Sequence, residues 1–241
     1  MAFEIYKPEW GAMRPIRGIL FDMDGLVLDS EKLFCRFWRE AAAHFGFSMS
    51  VEQSLGMRGL SGAAGTQMLH SYFGPEADYR EIRAKRIALM EAFVSENGIE
   101  LKPGIRELLA FAREHGIRTA ITSSSPPERI RSYLGQHGLE KEFDRLCSGH
   151  EVKKGKPEPD IYLHGAAQLH LEPGECLALE DAPAGILSAY RAGCLPVIIP
   201  DLDVPGQETL DRCYARADGL ADVIQFLASP DACTSQPDPQ G

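Results

Sequence analysis

The stretch Ile19-Leu20-Phe21-Asp22-Met23-Asp24-Gly25 joins an apolar run directly to two aspartates and a glycine. The apolar run, which begins at Ile16, predicts a buried strand. Side chains two residues apart on an extended chain point the same way, so Asp22 and Asp24 are expected to project together beyond the strand's carboxyl end. Ligands bind at that edge in open α/β sheets. Two neighbouring carboxylates repel each other unless a cation lies between them or one is protonated.

The tetrapeptide D-x-D-G has two ordinary interpretations besides a ligand site. Taken alone, it is more typical of a solvated turn. It also opens a calcium loop of the EF-hand kind, but that loop requires an oxygen ligand next and then a glycine. Leu26 and Val27 occupy those two places, which excludes calcium of that kind. The role of the aspartate pair therefore depends on the rest of the chain.

Composition and charge exclude several classes of protein. The chain has 241 residues, enough for one large domain or two small ones, and its formal net charge is −10. This charge disfavours nucleic acids and anionic membranes as partners. No apolar run is long enough to span a bilayer, and the first residues lack a signal-peptide pattern. We therefore expect a cytoplasmic protein, with a monomer as the default state.

The six cysteines show neither a C-x-x-C pair nor the spacing of a zinc site. Several lie in apolar runs, where a free thiol behaves as a small hydrophobic group. The sequence therefore predicts core or surface thiols in a reducing compartment, and no cysteine ligand.

The periodicity changes along the chain. Residues 31–100 show only helical patterns and loops, whereas residues 101–228 alternate between strand and helix patterns. Repeated strand–helix units predict an α/β fold with a Rossmann-like parallel sheet and helices on both faces. The helical stretch follows the first strand, so we expect an inserted all-helical domain over the carboxyl edge of the sheet. The predicted divisions are an arm at 1–15, a core at 16–30 and 101–228, the helical insertion at 31–100 and a disordered tail at 229–241.

Four polar clusters follow predicted strands or open helices: Asp22 and Asp24, Ser123 and Ser124, Lys156, and Glu180 with Asp181. Each has an ordinary interpretation on its own, as a helix cap, a solvated loop lysine or an acidic helix start. Together they supply a nucleophile, an acid/base, hydroxyl donors and a fixed cation at one sheet edge. Phosphoryl transfer requires this set of groups, which position the substrate and neutralise its charge.

The order of the segments DMDGLVLDS, ITSSS, KKGKPEPD and LALEDAPAG resembles the four motifs of the haloacid dehalogenase (HAD) superfamily. The helical insertion after the first segment resembles the C1 cap of its β-phosphoglucomutase-like phosphatase branch. The resemblance covers about Arg17 to Leu227. It implies the HAD α/β core with a helical cap, and it does not specify a substrate.

The resemblance implies roles for the catalytic and phosphate-binding residues. Asp22 is expected to attack phosphorus and form an aspartyl-phosphate. Asp24 is expected to protonate the leaving oxygen and then accept a proton from the attacking water. Lys156 balances the charge of Asp22 and the phosphate. Ser123 and the amide of Ser124 are expected to hold phosphate oxygens together with Lys156.

The resemblance also implies a Mg²⁺ cofactor. Its expected ligands are Asp22, the carbonyl oxygen of Asp24, and Asp181, with Glu180 close by, either directly or through water. A set of oxygen ligands beside a phosphate suits Mg²⁺ better than zinc.

Two activities of this superfamily fit the motifs. The first is a Mg²⁺-dependent phosphatase that hydrolyses a small phosphomonoester, such as a sugar or nucleotide-like phosphate, through the aspartyl-phosphate. The second is a phosphosugar mutase of the β-phosphoglucomutase type. That mutase places a histidine in the first cap helix, where Phe34 aligns, and a cap arginine at about Gly59. Both departures argue against the mutase, although Arg58 could substitute for the arginine.

Other activities fit the sequence less well. A dehalogenase lacks the second aspartate, which is present here as Asp24. A phosphonate hydrolase needs a cap lysine, and no lysine occurs between Lys32 and Lys85. A non-enzymatic binding protein would not be expected to retain every motif residue.

In the helical insertion, Trp38, Met57, Arg58 and Met68 are candidate residues of a substrate pocket. Core packing is the alternative for Trp38 and Met68, since an aromatic or methionine at helical spacing is more often part of a core.

Overall fold

The computed structural model describes residues 3–11, 15–58, 60, 62–202 and 204–229. The chain divides into two compact units. The core unit runs to Leu28 and resumes at Leu101, and the helical unit is Asp29–Glu100. The sequence predicts a disordered tail at residues 229–241. Apart from Ser229, these residues lie outside the part of the chain that the structure describes.

The core unit contains a seven-stranded sheet with the strand order β1-β7-β6-β5-β2-β3-β4. The strands are β1 (Phe3–Ile5), β2 (Gly18–Phe21), β3 (Arg118–Ser123), β4 (Arg145–Ser148), β5 (Cys176–Glu180), β6 (Leu195–Ile198) and β7 (Ala215–Ala217). The edge strand β1 pairs antiparallel with β7, and all other pairs are parallel. The sheet is therefore mostly parallel, and the predicted α/β fold class is confirmed.

The α-helices of the described residues fall in both units. The core unit begins with α1 (Pro8–Gly11), the helical unit contains α2 (Glu31–His44), α3 (Val51–Gly56), α4 (Gly62–Phe73) and α5 (Tyr79–Asn97), and the rest of the core unit contains α6 (Ile105–Glu114), α7 (Pro127–Gly135), α8 (Asp160–Gln168), α9 (Pro183–Ala192), α10 (Gln207–Leu210) and α11 (Leu220–Leu227). None of the helices in this part of the chain has the length and apolarity needed to cross a bilayer.

The central strand β2 is buried on both faces. All four of its residues are buried, as expected for a continuous apolar strand in a covered parallel sheet. Leu20 belongs to a core cluster with Tyr162 of α8 and Ala189 of α9. Phe21 contacts Phe143, with ring centroids 5.5 Å apart. Successive side chains of a strand point to opposite faces, so Leu20 and Phe21 are buried on different faces of β2. Both faces of the strand are therefore covered.

The chain order creates a switch point at the centre of the sheet. β2 pairs with β3 on one side and with β5 on the other, and the chain continues from β2 to β3 but from β5 to β6, so these two connections run in opposite directions. Ligands bind at such a point, beyond the carboxyl ends of the strands. The residues at those ends are Asp22 after β2, Ser123 of β3 and Glu180 of β5.

The helical unit has its own apolar core. Trp38 of α2 and Tyr79 of α5 stack, with ring centroids 5.9 Å apart, and both belong to one cluster with Leu69 and Ile82. The N-terminus of α5 is capped by Asp78, whose carboxylate accepts hydrogen bonds from the amides of Arg80 and Glu81.

Two elements differ from the sequence prediction. Within the arm predicted at residues 1–15, the structure has the strand β1 and the short helix α1, neither of which the sequence analysis anticipated. Phe3 of β1 stacks on Phe226 of α11, with ring centroids 4.2 Å apart. The strand β7 was also missed. Each strand has only three residues, which is too few to display a period of two.

Candidate active site

Asp22 and Asp24 occupy a tight turn after β2. The Asp22 amide donates to the carbonyl oxygen of Leu179 at 3.0 Å, which extends the parallel ladder past the last strand residue. The Met23 carbonyl oxygen accepts hydrogen bonds from the amides of Val27 and Leu28. Gly25 has φ +86°, a left-handed conformation that a side chain would strain. The glycine therefore lets the chain turn directly after the aspartates.

Lys156 lies between two buried carboxylates. Its Nζ donates to Asp22 Oδ1 at 2.5 Å and to Glu180 Oε1 at 2.6 Å. The Lys156 side chain is only 9% exposed. Burial alone would lower the pKa of this ammonium, but the charges and hydrogen bonds of Asp22 and Glu180 outweigh it, so the pKa lies above its usual value. Lys156 is therefore a fixed cation.

Three carboxylates form an acidic cluster beside this lysine. One oxygen from each of Asp22, Glu180 and Asp181 lies within 4.8 Å of the others, and all three residues are buried. Burial and, to a smaller extent, the charge of Asp22 raise the pKa of Glu180 to about 7, even though Lys156 acts to lower it. With all three acids ionised, Lys156 offsets only one charge. An additional cation would stabilise the cluster.

The acidic cluster fits a hard divalent cation. Its donor atoms are all carboxylate oxygens, which are the ligands that Mg²⁺ prefers, and no cysteine or histidine belongs to this group of residues.

The serines after β3 form the other side of the site. Ser125 Oγ donates to Asp24 Oδ2 at 3.2 Å, and the Ser125 amide donates to Ser123 Oγ at 3.1 Å. Ser148 Oγ of β4 donates to the Ser125 carbonyl oxygen at 2.7 Å, which fixes the turn. Ser123 is buried and Ser124 is exposed. Ser125 therefore holds Asp24, a contact that was not predicted.

Tyr162 was also missed by the sequence analysis. It lies on α8, is completely buried, and its hydroxyl donates to Glu180 Oε1. The structure thus brings Asp22, Lys156, Glu180 and Asp181 together, with Tyr162 behind them.

The helical unit contains a small cavity of about 130 Å³. Among the predicted pocket residues, Trp38, Met57 and Arg58 line it, and Met68 does not, since it packs against the core of the helical unit. Arg58 Nε donates to Glu31 Oε2 at 2.6 Å. Phe34 also lines the cavity, and Gly59 lies outside the described residues.

The five described cysteines are buried and form no disulfide with one another: Cys35, Cys147, Cys176, Cys194 and Cys213. Burial raises the pKa of the Cys147, Cys176 and Cys213 thiols to about 12. These thiols pack in the core, and none of them belongs to the acidic cluster.

The sheet is mostly parallel and covered by helices, and a buried acidic cluster lies at the carboxyl ends of its central strands. These features define an α/β enzyme of the Rossmann-like class. Comparisons with known proteins identify the family. A model of haloacid dehalogenase-like hydrolases matches residues 16–193. The chain therefore belongs to the haloacid dehalogenase-like hydrolase family.

Individual relatives place the chain in the β-phosphoglucomutase-like branch of this family, since the crystal structure of a putative β-phosphoglucomutase from Thermotoga maritima is 25% identical, with a TM-score of 0.70 and a match that covers 88% of this chain and 98% of that one. Hexitol phosphatase A of Escherichia coli strain K12 is 36% identical over 182 residues, which cover 74% of this chain and 80% of that protein. Hexitol phosphatase B of the same strain is 31% identical over 191 residues, covering 78% and 85%. The crystal structure of CbbY from Rhodobacter sphaeroides in complex with phosphate is 26% identical, with a TM-score of 0.70, and the match covers 86% and 96%. The prediction of a phosphoric monoester hydrolase of this superfamily is confirmed.

Proposed function

We propose that the protein is a Mg²⁺-dependent phosphatase that hydrolyses a small phosphomonoester through an aspartyl-phosphate on Asp22. The observation that carries this proposal is the pair of hydrogen bonds from Lys156 Nζ to Asp22 and Glu180, inside a buried acidic cluster. A lysine fixed beside a carboxylate nucleophile can neutralise the charge of an arriving phosphate, which the carboxylate alone would repel.

Asp22, Glu180 and Asp181 would hold the Mg²⁺ with their side chains, and Asp24 with its carbonyl oxygen. The bound ion would supply Lewis-acid stabilisation of the charge that develops on the phosphoryl oxygens. The close approach of three buried carboxylates supports this assignment.

The residues of the chain carry the proton and group transfers. A carboxylate oxygen of Asp22 attacks phosphorus in line with the leaving oxygen, so an Asp22 O–P bond forms as the ester P–O bond breaks. Asp24 gives its proton to the leaving oxygen. Water then attacks the same phosphorus, Asp24 takes a proton from that water, and inorganic phosphate leaves the regenerated Asp22 carboxylate.

The phosphate oxygens need donors throughout these steps. We assign them to Ser123 Oγ, the Ser124 amide and Lys156 Nζ, all placed by the ends of neighbouring strands or the loops after them. Ser125 keeps Asp24 in position through its hydrogen bond to Oδ2. Because Ser125 already holds Asp24 before the substrate arrives, no reorganisation of this acid is needed during the reaction.

We infer that the substrate is a small phosphorylated metabolite of the carbohydrate type. The names of the two hexitol phosphatases support this class. In the helical unit, the cavity offers the guanidinium groups of Arg58, Arg83 and Arg86 beside the rings of Phe34 and Trp38. We propose that this cavity contributes to substrate selection. Guanidinium groups bind hydroxyl and acidic substituents, and aromatic rings pack against the faces of sugars.

Metal removal tests the proposal. Treatment with EDTA is expected to abolish release of phosphate from p-nitrophenyl phosphate, because the acidic cluster repels the substrate when no cation neutralises it. Adding Mg²⁺ in excess of the chelator is expected to restore the rate. Hydrolysis that continues at full rate after exhaustive chelation would contradict the proposed cofactor, and no hydrolysis with Mg²⁺ present would contradict the activity.

The alternative is a β-phosphoglucomutase-type mutase, since the chain belongs to that branch. Phe34 stands where those enzymes have a histidine, and its ring cannot transfer a proton. A general acid/base commonly contributes about 100-fold or more to a reaction rate, so the loss of this histidine is expected to suppress the mutase reaction. With β-glucose 1-phosphate as substrate, we therefore expect inorganic phosphate to exceed glucose 6-phosphate at least about tenfold. Glucose 6-phosphate as the main product would establish the mutase instead.

A further inference from the structure

Glu180 Oε1 accepts two hydrogen bonds at once. One comes from Lys156 Nζ at 2.6 Å and the other from the Tyr162 hydroxyl. Lys156 Nζ also donates to Asp22 Oδ1, so a continuous chain of hydrogen bonds runs from Tyr162 through Glu180 and Lys156 to Asp22. Tyr162 is 0% exposed and Glu180 is 1% exposed, so bulk water does not compete for these bonds.

The tyrosine restricts a group that is otherwise free to rotate. The terminal torsion of a glutamate has a broad preference, so a single bond from a flexible lysine would leave the carboxylate orientation loosely defined. Tyr162 has a rigid ring, held in the core between the sheet and α8. Its ring centroid also lies 5.2 Å from Lys156 Nζ, close enough for a cation–π attraction. Tyr162 therefore contacts both partners of the Lys156–Glu180 pair.

Gly185 lies directly against the same carboxylate. A Cβ added at this residue of α9 would lie 1.9 Å from Glu180 Cδ and Oε1 and 2.2 Å from Oε2. The carboxylate thus occupies the space that any other residue at position 185 would fill. The glycine and the tyrosine hydroxyl together restrict the orientations that the Glu180 carboxylate can adopt.

We infer that Tyr162 and Gly185 are positioning residues, which orient the Glu180 carboxylate so that its Oε1 holds Lys156 on Asp22 and the carboxylate stays within the acidic cluster that would hold the metal. This inference rests on the proposed function for its effect on turnover. We assign neither residue a contact with the substrate or the reacting atoms, since the contacts described here are with Glu180 and Lys156. Removing the supports of metal ligands commonly reduces metal affinity or activity about 10- to 100-fold.

Tyr162→Phe tests the inference because it removes only the hydroxyl. We expect kcat for p-nitrophenyl phosphate to fall about tenfold with KM nearly unchanged, and the Mg²⁺ dissociation constant measured by calorimetry to rise about tenfold. Tyr214→Phe is the matched control, since Tyr214 is also buried but lies next to β7, away from β5 and β2. This control is expected to leave both quantities unchanged.

Gly185→Ala provides a second, independent change at the same carboxylate. It is expected to lower kcat and Mg²⁺ affinity at least as much as Tyr162→Phe, because the added methyl displaces Glu180 itself. Gly135→Ala is its control, since a Cβ there meets nothing within 4 Å. Circular dichroism and the melting temperature of the metal-free variants establish that they are folded.

The outcomes separate this inference from the proposed function. If Tyr162→Phe changes neither kcat nor Mg²⁺ affinity by more than twofold, or lowers only the melting temperature, the positioning role is wrong. If the parent protein binds Mg²⁺ but hydrolyses no phosphomonoester, the proposed function is wrong. In that case the calorimetric comparison of Tyr162→Phe with Tyr214→Phe still decides the positioning role.

Discussion

Asp22→Asn is expected to reduce hydrolysis of p-nitrophenyl phosphate by roughly 10⁴-fold or more, the scale seen when a covalent nucleophile is removed. The amide has nearly the shape of the carboxylate, but it lacks the charge and the nucleophilic oxygen that would form the acyl phosphate. Lys156 would keep its hydrogen bond to the remaining carbonyl oxygen, so the fold is expected to persist. The measurement is the rate of p-nitrophenol release at saturating Mg²⁺.

The matched control for this variant is Asp211→Asn. Asp211 is an exposed aspartate at the end of α10, and it accepts a hydrogen bond from Gln207 within the same segment. Its change removes the same charge from the protein without touching the acidic cluster, so the parental rate is expected. Turnover by Asp22→Asn at more than a few per cent of the parental rate would assign the nucleophile elsewhere.

Lys156→Met is expected to have the second largest effect, a fall in kcat of about 10²- to 10³-fold, similar to the loss of one donor to developing charge. Methionine matches the length of the lysine stem but provides no cation. Asp22 and Glu180 would then face each other in the core without the ammonium that now bridges them. Phosphate, which is also an anion, would meet three carboxylates and no fixed positive group.

The same change is expected to destabilise the protein. Breaking a buried ion pair by removing one partner costs about 3–5 kcal/mol, because the other charge stays buried without compensation. Part of this cost is offset here, since the pKa of Glu180 is already raised by burial and its carboxyl can take up a proton. Urea unfolding of the metal-free protein measures the difference in free energy of unfolding.

Lys153→Met is the control for both effects. Lys153 belongs to the same loop, but its side chain is exposed. Its removal is expected to change the free energy of unfolding by less than about 0.5 kcal/mol, as for most surface substitutions. If Lys156→Met and Lys153→Met had equal kcat, Lys156 would have no part in the reaction.

The sequence predicted the elements that carry the site because their patterns are long enough to be distinctive. The apolar run before Asp22 and the apolar segment before Glu180 each correspond to a buried strand of the sheet. The register of β2 with β3 and β5 then brings their carboxyl ends to one edge, as expected for adjacent parallel strands. The roles assigned to the residues at that edge stay predictions.

Contacts between side chains far apart in sequence were not predictable in the same way. Ser125 is the third of three consecutive serines, and no pattern indicates which hydroxyl meets Asp24, 101 residues earlier. Tyr162 fits the apolar stripe of α8, and its hydroxyl finds Glu180 only because α8 packs against the sheet. Such pairs depend on tertiary packing, which local periodicity does not encode.

The burial of the five described cysteines makes them reporters of chain opening. Alkylating reagents attack the thiolate, and core burial keeps the thiols of Cys147, Cys176 and Cys213 protonated at neutral pH. A reagent therefore modifies them only when the surrounding strands and helices separate. The labelling rate at each of these positions would measure how often that part of the core unit comes apart.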